Sequence, residues 1–392
     1  MKTFYALVFL ALPIFSQSQV DSVKYHRINI WNSPSMQAMY QNGYVFSTNN
    51  FLRGTNIEAE KINNFQASSI KFSIQTRGNK LWEQLYKYPN WGVGLYFADF
   101  YNAKEIGYPI AIYGFFNAPF KRWNRLSFNY ELGFGATFNW RSFNPVTNKF
   151  NSAMGAGESF LIDVGLNLQY YLTHKIELVT GFSLTHFSNG TIKEPNLGIN
   201  TVAPKISLKY NFYDTPSFRT QDISKYIHSK EWLISVFAGV KNVVYDSVNI
   251  NIIEKYEGVY FPVFGLSVMY NKQISHLSKF GIGTTITYNG SVNAQVAIDN
   301  NQTVLFDKPL GDKIQVSIYP SYELVINKLS LTLQPAFYLY RKKIKNQSPN
   351  FHQRVGIKYH FANNLFIGIT LRDYAFHVAD FIEWNIGYRF GR

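Results

Sequence analysis

Apolar and polar residues alternate along most of the chain, in segments of ten residues or more. In residues 126–138 every even position from Leu126 to Phe138 is apolar, whereas the odd positions are polar or glycine and include Glu131. A period of two is typical of a β-strand, whose side chains point alternately to opposite faces. The length suits a tilted strand that crosses a membrane.

The polar face of these segments carries charges and amides that a soluble protein core would exclude. In residues 160–172 the face opposite Ile162 and Val164 holds Asp163 and Asn167. A soluble β-sandwich has strands of about 5–6 residues and an apolar inner face. The pattern therefore predicts a polar interior and an apolar outer wall, as in outer-membrane barrels.

We count about sixteen such segments, eight on either side of a long polar connection. They begin near Met36, Ser69, Trp91, Tyr108, Leu126, Phe160, Ile176 and Val202 in the first half, and near Glu231, Tyr260, Phe280, Ile314, Leu329, Phe351, Leu365 and Ile382 in the second. The predicted fold class is all-β, an antiparallel transmembrane β-barrel of about 16 strands built from two loose 8-strand repeats. We favour one barrel, with two tandem eight-stranded barrels as the alternative.

The N-terminus and the composition place the chain outside the cytoplasm. Residues 1–18 combine Lys2, a short apolar stretch and small polar residues, and predict a cleaved signal peptide. The chain has no cysteine, 18% aromatic and only 16% charged residues, against about 25% charged in soluble domains. We predict the cell outer membrane, with a first barrel half at 19–213, a polar connection at 214–230 and a structural second half at 231–392.

The formal net charge is +14, but the Lys and Arg residues are scattered singly along the chain. An exported chain rarely meets DNA, so no nucleic-acid partner is predicted. Attraction to anionic lipid headgroups is the expected use of the charge, with solvated loop charges as the alternative. The eight histidines show no metal-ligand spacing, and no metal or cofactor is predicted.

Candidate chemistry lies at the end of the seventh segment, where residues 184–200 read LTHFSNGTIKEPNLGIN. His186 and Ser188 continue the apolar outer face of Phe182 and Leu184. Residues two apart on a strand lie roughly 7 Å apart between Cα atoms, so an imidazole nitrogen can reach a serine oxygen and activate it. If the chain enters from the periplasm, this strand runs outward and its loop opens at the cell exterior.

The stretch His186-Phe187-Ser188-Asn189-Gly190, followed by Pro195-Asn196-x-Gly198, resembles the motif of the PagL-type lipid A 3-O-deacylases. The pattern resemblance covers roughly residues 69–212, and about fifteen residues match as a motif. It implies that Ser188 is the nucleophile and His186 the general base. It also implies that Asn189, Asn196 and the backbone N–H of Gly190 form the oxyanion hole.

One position departs from that motif, because Asn200 stands where the family has a glutamate as third catalytic member. An amide oxygen can accept the histidine N–H but cannot stabilise imidazolium as a carboxylate does. In serine proteases, replacing the acid of the catalytic triad by its amide costs ~10⁴ in turnover. Without compensation, the substitution predicts a slow hydrolase.

Two functions therefore stay open. The first is a serine esterase that removes a fatty acyl chain from lipid A or another outer-leaflet lipid, without metal or cofactor. The second is a noncatalytic outer-membrane barrel or porin that retains a degenerate deacylase motif. The sequence also leaves a homodimer open.

Overall fold

The computed structural model describes residues 33–391 except 214–217, 221, 244–249, 257, 305–306, 346–347 and 375–377. The predicted signal peptide lies outside the described residues. The first half forms β1 (Pro34–Val45), β2 (Asn64–Gln75), β3 (Asn90–Asp99), β4 (Gly107–Arg122), β5 (Leu126–Trp140), β6 (Ser159–Tyr171), β7 (Ile176–Ser188) and β8 (Ile199–Asn211). The second half forms β9 (Ser229–Lys241), β10 (Phe261–Gln273), β11 (Ser278–Asn289), β12 (Ile314–Ile326), β13 (Leu329–Tyr340), β14 (Phe351–His360), β15 (Leu365–Tyr374) and β16 (Val378–Phe390).

Each half closes on itself. β1 pairs antiparallel with both β2 and β8, and β9 pairs antiparallel with both β10 and β16. The sixteen strands in two eight-stranded halves are confirmed, but the single barrel that we favoured is corrected to two tandem barrels. Eight strands enclose a space that their own inward side chains can fill, and closure leaves neither half with an open edge.

Side chains alternate between the outer wall and the interior, as the period of two predicts. On β7, Phe182 is 63% exposed and Leu184 is also exposed, whereas Ser183 and Thr185 are buried inside. The outer wall of both barrels is consequently rich in exposed apolar side chains. Such a surface is stable in contact with lipid and unfavourable in water.

Buried ion pairs fill the interior of both barrels. In the first, Glu131 lies 2.7 Å from the Nζ of Lys71 and 3.0 Å from the Nζ of Lys205. In the second, Glu383 lies 2.6 Å from Arg354 and 2.7 Å from Arg372. Charges are retained away from water only when they are paired and hydrogen-bonded, as these are.

Connections that follow odd-numbered strands lie at one end of the barrels, called here the long-loop end because most of the long loops are there. Connections that follow even-numbered strands within each barrel lie at the other end, called the short-turn end, where most are tight turns and the β2–β3 connection is longer. The long-loop end of the first barrel holds an apolar cluster that includes Phe51, Phe100, Trp140, Met154 and Phe187. α2 (Ile250–Tyr256) and α3 (Val292–Asp299) pack together at the same end of the second barrel, and α4 (Leu310–Lys313) leads into β12. α1 (Leu81–Leu85) lies in the connection from β2 to β3. None of the helices within the described ranges is long and apolar enough to cross a membrane.

The two barrels touch at both ends. At the short-turn end the hydroxyl of Tyr86 donates to the backbone oxygen of Val325, at 2.8 Å. At the long-loop end the hydroxyl of Thr191 donates to the backbone oxygen of Ala379, at 2.9 Å. The barrels therefore lie side by side, with the loop that follows β7 at their junction.

Candidate active site

The last three residues of β7 divide between the two faces of the wall. His186 and Ser188 lie on the outer face and are half-buried, whereas Phe187 between them points inward and is 1% exposed. The ring of Phe187 packs against those of Trp140 and Phe100, with centroids 5.2 and 6.1 Å away. This inward anchor fixes the strand end that presents the two outward side chains.

His186 is oriented by its neighbour on β8. His186 and Asn200 are register partners, and Nδ1 of His186 lies 2.7 Å from Oδ1 of Asn200. An amide oxygen can only accept, so Nδ1 carries the proton and Nε2 keeps its lone pair. On the other side the register partner of His186 is Ile162, so neither flanking strand supplies a carboxylate at this level.

Ser188 Oγ is surrounded by N–H donors from the loop that follows it. It accepts from the backbone N–H of Gly190 at 3.2 Å and from Nδ2 of Asn196 at 2.8 Å. No hydrogen bond joins His186 to Ser188 among the described residues. The two side chains flank Gly198, where an added Cβ would lie 3.1 Å from Cε1 of His186 and 3.7 Å from Cβ of Ser188.

Asn189 is turned into the loop instead of towards the serine. Its side-chain amide donates to the backbone oxygen of Lys193 at 2.7 Å, and its backbone N–H donates to Oδ1 of Asn196 at 2.9 Å. Asn189 is only 2% exposed. Of the predicted oxyanion donors, the structure thus brings Gly190 and Asn196 to Ser188 and uses Asn189 to order the loop.

A second loop, residues 141–158, supports this arrangement and was not identified from the sequence. The backbone N–H groups of Leu197 and Gly198 donate to the backbone oxygens of Ser152 and Ala153, at 3.1 and 3.0 Å. At Gly155 an added Cβ would lie 2.4 Å from the oxygen of Lys193. The run SAMGAG at 152–157 is the available sequence signal, because small residues permit such close backbone approach.

Among the described residues, no carboxylate forms a hydrogen bond or an ion pair with His186, whose side-chain partner is Asn200. Glu194 is exposed in the loop that follows β7. In the second barrel, the histidine at the matching strand end, His377, lies outside the described residues. Within the described ranges no group of three or more His, Cys, Asp or Glu is placed to hold a metal ion.

Comparison with known families divides the chain at the same place as the fold. Residues 69–211 match the family model described as lipid A 3-O-deacylase (PagL). Residues 230–392 match the model described as acyloxyacyl hydrolase, C-terminal domain. No curated protein matches the chain.

Solved structures align with most of the chain at low similarity. OccK5 (OpdH) of Pseudomonas aeruginosa is 12% identical over 92% of this chain and 98% of its own, with a TM-score of 0.21. CdiB from Acinetobacter baumannii is 7% identical over 92% and 60%, with a TM-score of 0.19. A mutant porin of Rh. blastica is 11% identical over 91% and 99%, with a TM-score of 0.17. Such TM-scores carry no argument about fold or function.

Fold and family matches together define the class: a protein of two tandem antiparallel β-barrels, the first of which presents a histidine and a serine on its outer wall. Within that class, the chain belongs to the family of PagL-type lipid A 3-O-deacylases. The deacylase model matches the first barrel from residue 69 onward, and the acyloxyacyl hydrolase C-terminal model matches the second barrel.

Proposed function

We propose that the protein is an outer-membrane serine esterase that removes a fatty acyl chain from lipid A or a related outer-leaflet lipid. The observation that carries the proposal is the arrangement at the end of β7. Asn200 holds His186 in the tautomer that leaves Nε2 basic, and two N–H donors meet at Ser188 Oγ on the same outer face. A general base, a hydroxyl and preorganised donors are the groups that acyl transfer requires.

In the proposed reaction, Ser188 Oγ attacks the ester carbonyl carbon while Nε2 of His186 takes the hydroxyl proton. The hydrogen bond between these groups forms with substrate in place. The carbonyl electron pair moves to oxygen, and the Gly190 N–H and Asn196 Nδ2, already held beside Ser188 Oγ, donate to that oxyanion. The tetrahedral intermediate collapses, the lipid alkoxide takes the proton from His186, and the acyl chain stays on Ser188.

Hydrolysis of the acyl-enzyme repeats these steps with water. His186 takes a proton from the water, and the resulting hydroxide attacks the acyl carbonyl. The second tetrahedral intermediate expels Ser188 Oγ, which recovers the proton from His186. The products are a free fatty acid and a lipid that lacks one acyl chain.

The surroundings of Ser188 favour a lipid substrate. Its register partner on β6 is Phe160, and the exposed side chains of Ile162 and Leu184 continue the outer wall away from the loop. An acyl chain lying against this wall would place its ester at the level of Ser188. Lys193, exposed in the adjoining loop, suits the phosphates of a headgroup.

The alternative of a porin is disfavoured by the filled interiors, since Lys71 and Glu131 in one barrel and Arg372 and Glu383 in the other are buried. The alternative of a noncatalytic barrel rests on Asn200, which lacks the charge of an acid. Against it, Asn200 keeps the hydrogen bond that an acid would make to His186.

The test is expression of the wild type and of Ser188→Ala in a host that makes lipopolysaccharide, with lipid A analysed by mass spectrometry. We expect lipid A to lose one acyl chain with the wild type and to stay intact with Ser188→Ala. Ser68→Ala, an exposed outward serine on β2, is the matched control and should behave as the wild type. Unmodified lipid A and unmodified phospholipids with a folded, heat-modifiable wild type would reject the esterase.

A further inference from the structure

The loop that supplies the oxyanion donors is pressed against the second barrel. Gly190 has a φ of +63°, and an added Cβ there would lie 2.6 Å from Cδ1 of Ile382 and 3.9 Å from Cδ1 of Leu371. Both side chains belong to the outer wall of the second barrel, on β16 and β15. The backbone that donates to Ser188 is therefore in direct contact with the second barrel.

Thr191, the next residue, forms hydrogen bonds with two residues of the second half of the chain. The hydroxyl of Thr191 donates to the backbone oxygen of Ala379 at 2.9 Å, and the side-chain amide of Asn242 donates to the backbone oxygen of Thr191 at 3.4 Å. Thr191 has a φ of +63°, which a β-branched residue rarely adopts. A strained conformation persists only where surrounding contacts hold it.

From these contacts we infer that the second barrel is a part of the active site: Ile382 and the backbone of Ala379 hold Gly190 and Thr191 so that the Gly190 N–H points at the reacting centre. This inference rests on the proposed esterase function. Ile382 and Thr191 are positioning residues, since neither touches Ser188. The contact gives the second barrel a catalytic purpose beyond its structural one.

The chemical reason is the geometry that an oxyanion hole needs. Its donors act fully only when they are fixed before the reaction, and removal of one donor costs about 10²–10³ in kcat. A displacement of 1 Å costs on the order of 10². The Ile382 side chain packs against Gly190, and the hydrogen bond of the Thr191 hydroxyl to Ala379 fixes the following residue. Loss of either contact should therefore let the Gly190 N–H move away from its position beside Ser188.

The experiment measures hydrolysis of purified lipid A in detergent by the full chain carrying Ile382→Ala or Thr191→Val. We expect kcat to fall about tenfold to a hundredfold in each variant, with little change in KM. Ile386→Ala is the matched control, because Ile386 lies on the same strand and face as Ile382 and is 53% exposed. Thr191→Ser keeps the hydroxyl and should restore most of the rate.

Labelling of Ser188 by a fluorophosphonate gives a second readout, because the adduct is tetrahedral and uses the same donors. Heat-modifiability on gels confirms that each variant is folded. Folded Ile382→Ala and Thr191→Val with wild-type kcat and labelling would overturn the inference. A wild type that neither hydrolyses lipid A nor labels would instead reject the proposed function, so the two failures are distinct.

Discussion

His186 and Asn200 are paired across β7 and β8, with 2.7 Å between Nδ1 of the imidazole and Oδ1 of the amide. In the proposed mechanism the amide takes the place of the acid of a serine-hydrolase triad and keeps its geometric role, because it fixes the ring and its tautomer. It does not supply the negative charge that would stabilise imidazolium. The site therefore has the orienting hydrogen bond that a carboxylate would make, but not the negative charge that a carboxylate would add.

Asn200→Asp should increase kcat. The carboxylate is isosteric with the amide and adds the charge that stabilises protonated His186. We expect a gain of about tenfold to a hundredfold, or ~1.4–2.8 kcal/mol in the activation free energy. This gain is smaller than the ~10⁴ lost in serine proteases when the acid becomes an amide, because there the amide also holds the histidine in the wrong tautomer. Lipid A hydrolysis by the purified variant measures the effect.

The pH dependence of the same variant provides a check. An adjacent negative charge favours the protonated imidazole of His186, so less of the basic, neutral ring is present at acidic pH in Asn200→Asp than in the wild type. The acidic limb of kcat against pH should then move to higher pH. Unchanged kcat together with an unmoved limb would mean that His186 is not the base.

Asn196→Asp tests the donor that we assign to the oxyanion hole. The substitution keeps the oxygen that accepts from the Asn189 N–H, but replaces the donor 2.8 Å from Ser188 Oγ. We expect kcat to fall about 10²–10³-fold while the barrel remains folded. A folded Asn196→Asp with wild-type turnover would remove Asn196 from the mechanism.

Glu131→Gln should destabilise the first barrel. The change leaves Lys71 and Lys205 buried without their shared counterion, which costs about 3–5 kcal/mol when a buried pair is broken. Denaturant titration of the purified protein in detergent measures the loss in free energy of unfolding. Glu58→Gln, which breaks an exposed pair with Lys104, is the control and should cost less than about 1 kcal/mol. Equal losses would contradict the proposed role of the interior network.

The strands were predictable because their signal is local. The period of two placed six strand starts at the observed residue, including Leu126 and Ile176, and assigned His186 and Ser188 to the outward face that the structure shows. Closure was not predictable in the same way. Whether β8 returns to β1 or continues into β9 depends on pairing between distant segments, which alternation does not encode.

The details of the site were harder to predict, since loops lack periodicity. The motif contains both Asn189 and Asn196, and spacing alone does not indicate which amide turns towards Ser188. The structure separates them by their partners, Lys193 for one and Ser188 for the other. The contact between Gly190 and Ile382 joins residues nearly 200 positions apart, and no local sequence pattern predicts it.

Gly155→Ala should impair hydrolysis from a position outside the motif. The added Cβ would lie 2.4 Å from the oxygen of Lys193, a backbone atom that moves only if the loop between β7 and β8 moves. Displacement by about 1 Å should lower kcat on the order of 10²-fold. Gly157→Ala is the matched control: it lies in the same loop, and its Cβ would meet only the oxygen of Trp140, at 3.7 Å. If both variants fold and hydrolyse lipid A at the same rate, the loop at 141–158 does not position the site. If only Gly155→Ala is slow, contact with this loop, including its backbone hydrogen bonds to residues 197 and 198, contributes to the rate of hydrolysis.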